Sequence, residues 1–268
     1  MRFLYVAPRY HTNQVPIIRG LKRKGHEVCF LSQYAGKVED YSDLTPTVIG
    51  YSGFFLFFDR IYMALMKNRD AYAGDRKMKC GFPPIGKLKR AIRDSHGDVA
   101  VLRERSVYSI CAYLLCKKYK IPAILYNQSP LWEDCIKNDP AHRLMRLLTP
   151  TVRMTPVMGV QDGRKVKEPG AAFVPFVMEP EQKAEEKRWI KDGITHIFSI
   201  GKYEERKNHR MLVEIVEELS AVYNIHLTIA GERTTSAHQA YYDRLAAYIA
   251  DHGLQDKVTL LANLNRQQ

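Results

Sequence analysis

The chain is short of acidic charge. Of 268 residues, 41 are Lys or Arg and 29 are Asp or Glu, which leaves a net charge of +12. That surplus suits an anionic partner, whether a phosphate ligand, an acidic membrane surface or nucleic acid, and does not choose among them. Cysteine is also scarce. The five residues (Cys29, Cys80, Cys111, Cys116, Cys135) are odd in number and form no C-x-x-C pair, which argues against a zinc site. Four of them sit in apolar or helical surroundings, so reduced, mostly buried thiols in a reducing compartment are expected. No hydrophobic run is long enough to span a bilayer, because the most apolar stretch, FFLFFDRIYMALM, is broken by Asp59 and Arg60. The opening MRFLYVAPRY has no long apolar core and no small-residue cleavage site; it reads as a strand rather than a signal peptide. Strand ends carry no G-x-G-x-x-G turn, which ranks a dinucleotide-dependent oxidoreductase last. There is neither a D-x-D pair nor an H-E-x-x-H motif to hold a metal, and no short repeat or low-complexity tract.

What is present is an alternation of strands and helices. RFLYVA is a strand, followed by the loop PRYHTN and a helix marked by Val15, Ile17, Ile18 and Leu21 that ends at Gly25. EVCFLS, DVAVLRE, IPAILYN and TVRMTPVM are further strands. Between them lie a helix over SVYSICAYLLCKKYK, with Ser106 as N-cap, and another from Asp139 to Leu148. The charged stretch MEPEQKAEEKRWIKD reads as a linker. Beyond it come the strand ITHIFSI, a helix over His209–Tyr223, the strand NIHLTIA, a helix from about Ala237 to His252 closed by Gly253, and the strand KVTLLA. Met211, Leu212, Ile215, Val216, Leu219, Val222 and Tyr223 form a 3.6-residue stripe expected to face the sheet. Such alternation implies an α/β fold with parallel sheets covered by helices on both faces. Two Rossmann-like domains in series result: residues 1–178, a linker over 179–192, and 193–268, the second with three strands.

The most informative stretch is SIGKYEERKNHRMLVEIVEEL, where an apolar strand runs through Gly201 into a charged loop and a helix. In open parallel sheets ligands lie at the carboxyl ends of the strands, beside helix N-termini whose free N–H groups and dipole favour an anion. Gly201 permits close backbone approach there, and Lys202 and Lys207 would add full positive charge. The competing reading is that both lysines only solvate a connection.

This stretch resembles the start of the C-terminal domain of retaining GT-B glycosyltransferases of family 4 (glycosyltransferase group 1), in which a G-R/K…K-N signature follows a strand. LTIAGE and KVTLLANL are similar to that family's next two strands. YHTNQVPIIRGLKRKGHEVCFL resembles its opening loop and helix, IPAILYNQSPLW its mid-domain strand, and VPFVMEPE its interdomain crossing. The resemblance implies a nucleotide-sugar donor, a glycan or lipid-linked acceptor, retention of configuration and no metal or other cofactor. It also implies that Gly201, Lys202 and Lys207 hold the donor diphosphate, that backbone around Asn263 and Leu264 meets the nucleotide base, and that the loops with Arg9, His11, Asn13 and Gln128 face the ligand cleft.

Several features depart from the family. Its glutamate-rich E-x7-E segment would fall past Gln268, so a catalytic residue is not assigned, and a C-terminally truncated, incomplete second domain is expected. PRYHTN replaces the paired glycines after the first strand; Arg9 and His11 either contact ligand or cap the following helix. Gln128 stands near the place of a frequent histidine; it either bonds a sugar hydroxyl or serves the loop, and it cannot act as a base. His26 reads as a helix-end residue. Glu232 replaces a common glycine and reads as a ligand contact or as a solvated carboxylate beside Arg233. The acid-free segment RKMKCGFPPIGKLKRAIR is either a basic amphipathic helix that rests on anionic lipid near Phe54–Phe58 or a core-packed helix with a solvated basic face. Nucleic-acid binding has charge alone behind it and is not expected. A cytoplasmic transferase, peripheral to the membrane's cytoplasmic face, leads; the alternative is a non-catalytic remnant that binds acceptor or membrane.

Overall fold

The computed structural model describes residues 1–36, 39, 41–65, 73–104, 106–129, 131–133, 135–157, 166–177 and 189–264. The chain divides into two compact units, Met1–Glu179 and Pro180–Gln268.

The first unit begins with β1 (Arg2–Ala7), α1 (Val15–Arg23), β2 (Glu27–Ser32) and β3 (Thr47–Val48). Then come α2 (Gly53–Leu65), α3 (Ala73–Cys80), α4 (Ile85–Asp94), β4 (Val99–Arg103), α5 (Val107–Lys118), β5 (Ala123–Tyr126) and β6 (Trp132–Glu133). It ends with α6 (Pro140–Leu148), β7 (Arg153–Thr155), β8 (Val166–Lys167) and β9 (Ala171–Phe173). The main sheet is ordered β3-β2-β1-β4-β5-β7-β9, and every pairing in it is parallel. Strand order reverses between β1 and β4, the point at which such sheets open a crevice at their carboxyl ends. Alternation along β1 explains why both faces are covered. Leu4 and Val6 join a core with Leu88 and Ile92 of α4 and Ala112 and Cys116 of α5, while Tyr5 and Ala7 pack with Val15 and Ile18 of α1.

The helix boundaries follow local chemistry. Ser106 accepts a hydrogen bond from Ser109 N at 3.0 Å and opens α5; Asp139 accepts from Ala141 N and His142 N and opens α6. Helix α4 buries Leu88 and Ile92 completely, so it is a core-packed helix with a solvated basic face rather than one with an apolar stripe left for lipid. Its neighbour α2 differs. Asp59, 6% exposed, is held by Arg76 and Lys77 of α3, while Phe54, Phe57, Phe58, Ile61 and Leu65 stay exposed.

The second unit contains β10 (Ile190–Lys191), β11 (Ile194–Ile200), α7 (His209–Leu219), β12 (Ile225–Gly231), α8 (Ser236–Asp251) and β13 (Val258–Ala262). Its sheet is ordered β10-β11-β12-β13, antiparallel at the first pairing and parallel at the others. Two expectations change here. Residues 190–191, read as linker, pair with β11 through a tight turn in which Asp192 and Gly193 both have positive φ, the backbone of a two-residue hairpin. The rest of that linker, 179–188, lies outside the described residues. Helix α7 turns a different face to the sheet: His209, Val213 and Val216 are buried with Leu212 beside them, whereas Met211, Ile215, Leu219, Val222 and Tyr223 are exposed. The helix also stops at Leu219. Helices α7 and α8 share one core with Ile197, Leu227, Ile229 and Val258. On the opposite face of β11, Phe198 and Ile200 are exposed, so this sheet is not covered on both faces by the described residues.

The cysteines are all free, as expected, but Cys116 alone is buried; Cys80 and Cys135 are exposed. Burial pushes the Cys116 thiol up to about 12.

Candidate functional site

At the carboxyl edge of the second unit's sheet, three loops are tied together by backbone and side chain. Gly201 N donates to Ala230 O at 3.0 Å, Tyr203 N to Glu232 O at 3.2 Å, and Asn263 N to Gly231 O at 2.9 Å. Tyr203 is the plug beneath them. It is fully buried, and its hydroxyl reaches Ile229 O at 3.0 Å and Leu261 O at 2.8 Å, spanning β12 and β13. Burial foremost, then Tyr242 nearby, pushes this hydroxyl well above the usual tyrosine range. Gly231 has no room for a side chain: a Cβ there would lie 2.2 Å from Gly201 O and 2.9 Å from the Tyr203 ring. The close approach of the first two loops therefore depends on this glycine.

The cations occupy distinct places on that edge. Lys202 Nζ pairs with Glu232 Oε2 at 3.1 Å, with the lysine side chain 39% exposed and the carboxylate 17%. Glu232 also accepts from Thr234 Oγ1 at 2.6 Å, so it is a lysine partner and not a solvated carboxylate beside Arg233. The stem of Lys207 lies over Gly201: a Cβ at that glycine would be 3.3 Å from its Cγ and Cδ. The ammonium group of Lys207 has no hydrogen bond or ion pair among the described residues. Asn208, the N-cap of α7, stands in a left-handed conformation (φ 51°) and gives no side-chain capping bond. The amide of Arg210 donates to the Tyr241 hydroxyl at 3.3 Å. His209, 1% exposed, places Nε2 3.0 Å from Lys202 O and leaves Nδ1 without a partner among the described residues. Gly201, the Lys202 backbone and the stem of Lys207 thus lie beside the start of α7, whose N-cap residue gives no side-chain bond.

Asn263 is committed differently. Its Oδ1 accepts from Arg233 N at 2.7 Å and its Nδ2 donates to Arg233 O at 3.1 Å, which clips the 263–264 turn to the loop after β12. The Arg233 guanidinium stacks 4.3 Å over the Tyr242 ring. Leu264 is half-buried beside Asn263.

In the first unit the remaining candidates lie at the carboxyl ends of β1 and β5. Arg9 pairs with Glu39 at 2.6 Å. His11 Nδ1 accepts from Asn13 N at 3.2 Å, and its own N–H donates to Gln14 Oε1 at 2.9 Å, a reciprocal cap on the turn before α1. Gln128 Oε1 accepts from Arg103 Nη2 at 3.1 Å. Arg9, His11 and Gln128 therefore each hold a structural partner, and Asn13 contributes its backbone N–H to the cap.

The comparisons bear directly on the second unit. A family model described as glycosyl transferases group 1 matches residues 181–268. No curated protein matches the chain by sequence. Among solved structures, the chain is similar to a glycosyltransferase of Rickettsia africae ESF-5, with TM-score 0.61 and 15% identity over 98% of this chain and 68% of that one. It is also similar to a UDP-forming α,α-trehalose-phosphate synthase of Burkholderia xenovorans, with TM-score 0.56 and 11% identity over 97% and 73%. A third is S. aureus MnaA with UDP, with TM-score 0.51 and 10% identity over 98% and 69%. At these identities the likeness is one of fold, and it agrees with a GT-B architecture of two Rossmann-like units.

One cluster in the first unit escaped the reading of its sequence. Arg153 on β7, 5% exposed, donates from Nε to Glu104 Oε1 at 2.7 Å and from Nη2 to Thr149 O and Oγ1 at 3.3 and 3.1 Å. The second Glu104 oxygen accepts from Asn127 Nδ2 at 3.0 Å, and Arg146 Nε reaches Glu168 Oε1 at 3.2 Å. The signal was available: VRMT and VLRE each place a charge in or at the end of a short apolar strand, where buried charges are rare unless paired.

Proposed function

We propose that the chain transfers a sugar from a nucleotide-sugar donor to a glycan or lipid-linked acceptor, with retention of anomeric configuration and without a metal ion. The observation that carries this reading is that the loop of Lys202 and Lys207 after β11 lies beside the N-terminus of α7, which lacks a side-chain cap. As the bond from the sugar to the diphosphate breaks, negative charge accumulates on the departing nucleoside diphosphate. Two ammonium groups and an oriented helix dipole would neutralise that charge as it grows, which lowers the barrier. They supply the neutralisation that a divalent cation supplies elsewhere. The turn at Asn263 and Leu264 would take the base, residues 193–268 the donor and residues 1–178 the acceptor, with the loops of Arg9, His11, Asn13 and Gln128 as contacts to donor or acceptor.

Glu232 qualifies the scheme. It pairs with Lys202, so a diphosphate must compete with it. Calorimetric titration with UDP, GDP and ADP tests the reading. Saturable binding to one of them, weakened at least tenfold in Lys202→Ala and in Lys207→Ala, is the expected result. A folded protein that binds none of the three overturns it and favours the non-catalytic alternative.

No described helix is long and apolar enough to cross a membrane. We place the chain in the cytoplasm, in peripheral contact with an anionic membrane, through α2 rather than α4. Helix α2 exposes Phe54 (74%) and Leu65 (78%) along with other large apolar groups, a composition suited to the headgroup boundary, and α3 and α4 beside it in sequence carry the cations. Co-sedimentation should rise with the anionic lipid content of vesicles and fall in Phe54→Ser/Phe57→Ser. Indifference to both sinks the membrane contact alone.

A further inference from the structure

The first unit encloses a cavity of about 440 Å³ next to the carboxyl ends of β4 and β5, within the ~300–1,000 Å³ range of small-molecule sites. Its composition is divided. Val107, Ile110, Leu131, Ile136, Leu144 and Met145 give it apolar walls drawn from α5, α6 and the loop before α6. Set into those walls are Glu104, Asn127, Arg153 and Glu168, the buried cluster described above. Lys137 and Cys135 are exposed members of the lining.

A purely structural ion pair has no need to line a cavity. Burying charges is costly unless every lone pair and proton is satisfied, and a packed apolar core does the same work at lower cost. Here Glu104 receives one donor on each carboxylate oxygen, from Arg153 and from Asn127. A carboxylate oxygen has two lone pairs, so each can accept one more hydrogen bond. The group is oriented, half-satisfied and bordered by hydrocarbon. What it fits is a hydroxyl group attached to an apolar body.

We infer that this cavity binds the acceptor, and that the acceptor is an alcohol with an apolar body, such as an alkyl or aryl glycoside or a lipid alcohol, whose hydroxyl donates to Glu104. The inference rests on the sugar-transfer reading for the word acceptor, and on the cavity alone for the chemistry. Apolar contact supplies affinity, and the Glu104–Arg153–Asn127 cluster supplies orientation.

The test uses Cys135 as a reporter. It is exposed and lines the cavity, while Cys80 is exposed and does not line it. Alkylation of both thiols by iodoacetamide is followed by mass spectrometry with n-octyl β-D-glucoside below its micelle-forming concentration, and separately with glucose. The expected result is at least fivefold slowing at Cys135 with octyl glucoside, an unchanged rate at Cys80, and no effect of glucose. Ile110→Trp, which fills the cavity, and Leu144→Asp, which places a charge on a half-exposed wall and spares the core, should each abolish the protection. Equal slowing at both cysteines, slowing by glucose, no slowing in the folded wild type, or full protection in Leu144→Asp overturns the proposal. UDP titration of the same samples separates the two readings: protection without diphosphate binding sinks sugar transfer and keeps the cavity, and the reverse sinks the cavity.

Discussion

Glu232→Gln should make this chain a better binder of nucleoside diphosphate. In the protein as it stands the carboxylate sits 3.1 Å from Lys202 Nζ, with the lysine side chain 39% exposed. A pair so open to solvent contributes only about 0.5 kcal/mol to stability, and that interaction must be given up or shared when a phosphate arrives. The larger effect is repulsion. A carboxylate and a phosphate on either side of one ammonium group lie about 6 Å apart, which corresponds to roughly 0.7–1.4 kcal/mol per unit charge for effective dielectric constants from about 80 to 40. Together these come to about 1–2 kcal/mol, or about 5- to 30-fold in Kd. The isosteric amide keeps an oxygen for the bond from Thr234 Oγ1 and leaves the backbone bond from Tyr203 N untouched, so stability should hardly change. Calorimetry with UDP at low salt measures the gain, and raising the ionic strength should shrink it by screening. Unchanged or weaker binding in Glu232→Gln, with the melting temperature preserved, would refute the claim that Lys202 receives the diphosphate.

The other expectations concern the scaffold of the site. Gly231→Ala forces a Cβ to 2.2 Å from Gly201 O, so the backbone itself must shift; about 1–3 kcal/mol of stability should be lost in denaturant unfolding, and diphosphate binding should weaken with it. Tyr203→Phe removes the hydroxyl that two strand-end carbonyls share and should cost about 1–3 kcal/mol by the same assay. Arg153→Met leaves Glu104 buried without its main partner and should destabilise by about 3–5 kcal/mol, whereas pairing it with Glu104→Gln should recover part of the loss. Hydrogen bonds from Tyr248 first and His252 second hold the Glu217 carboxyl below its ordinary range. Its contribution to stability is therefore fully present above the unfolded carboxylate value and disappears as pH falls through the lower folded one. The melting-temperature gap between wild type and Glu217→Gln should accordingly close on acidification; a gap that persists at the lowest pH contradicts this.

Much of the architecture was legible because its signals are local. Alternating apolar strands, a serine before an amphipathic run and a glycine after one each act within a few residues, so β1, β2, β4, α5 and α8 lie close to where they were expected. The hairpin of β10 and β11 was legible too, in the pair Asp192-Gly193, but a surrounding run of charges masked it. Helix α7 shows the limit of periodicity. Two apolar stripes run along the same helix, one through His209, Leu212, Val213 and Val216 and one through Met211, Ile215 and Leu219, and spacing alone does not say which meets the sheet.

The sequence by itself determined the class of fold, the order of its units and the place of the cationic loop, because strand, turn and helix signals are written in neighbouring residues. Tertiary structure alone decided which charges are free to act. Lys202 and Glu232 are thirty residues apart, and Arg153 and Glu104 forty-nine; only the parallel register of their strands brings each pair within reach. Electrostatic energy depends on distance and burial, and neither is a property of position along the chain.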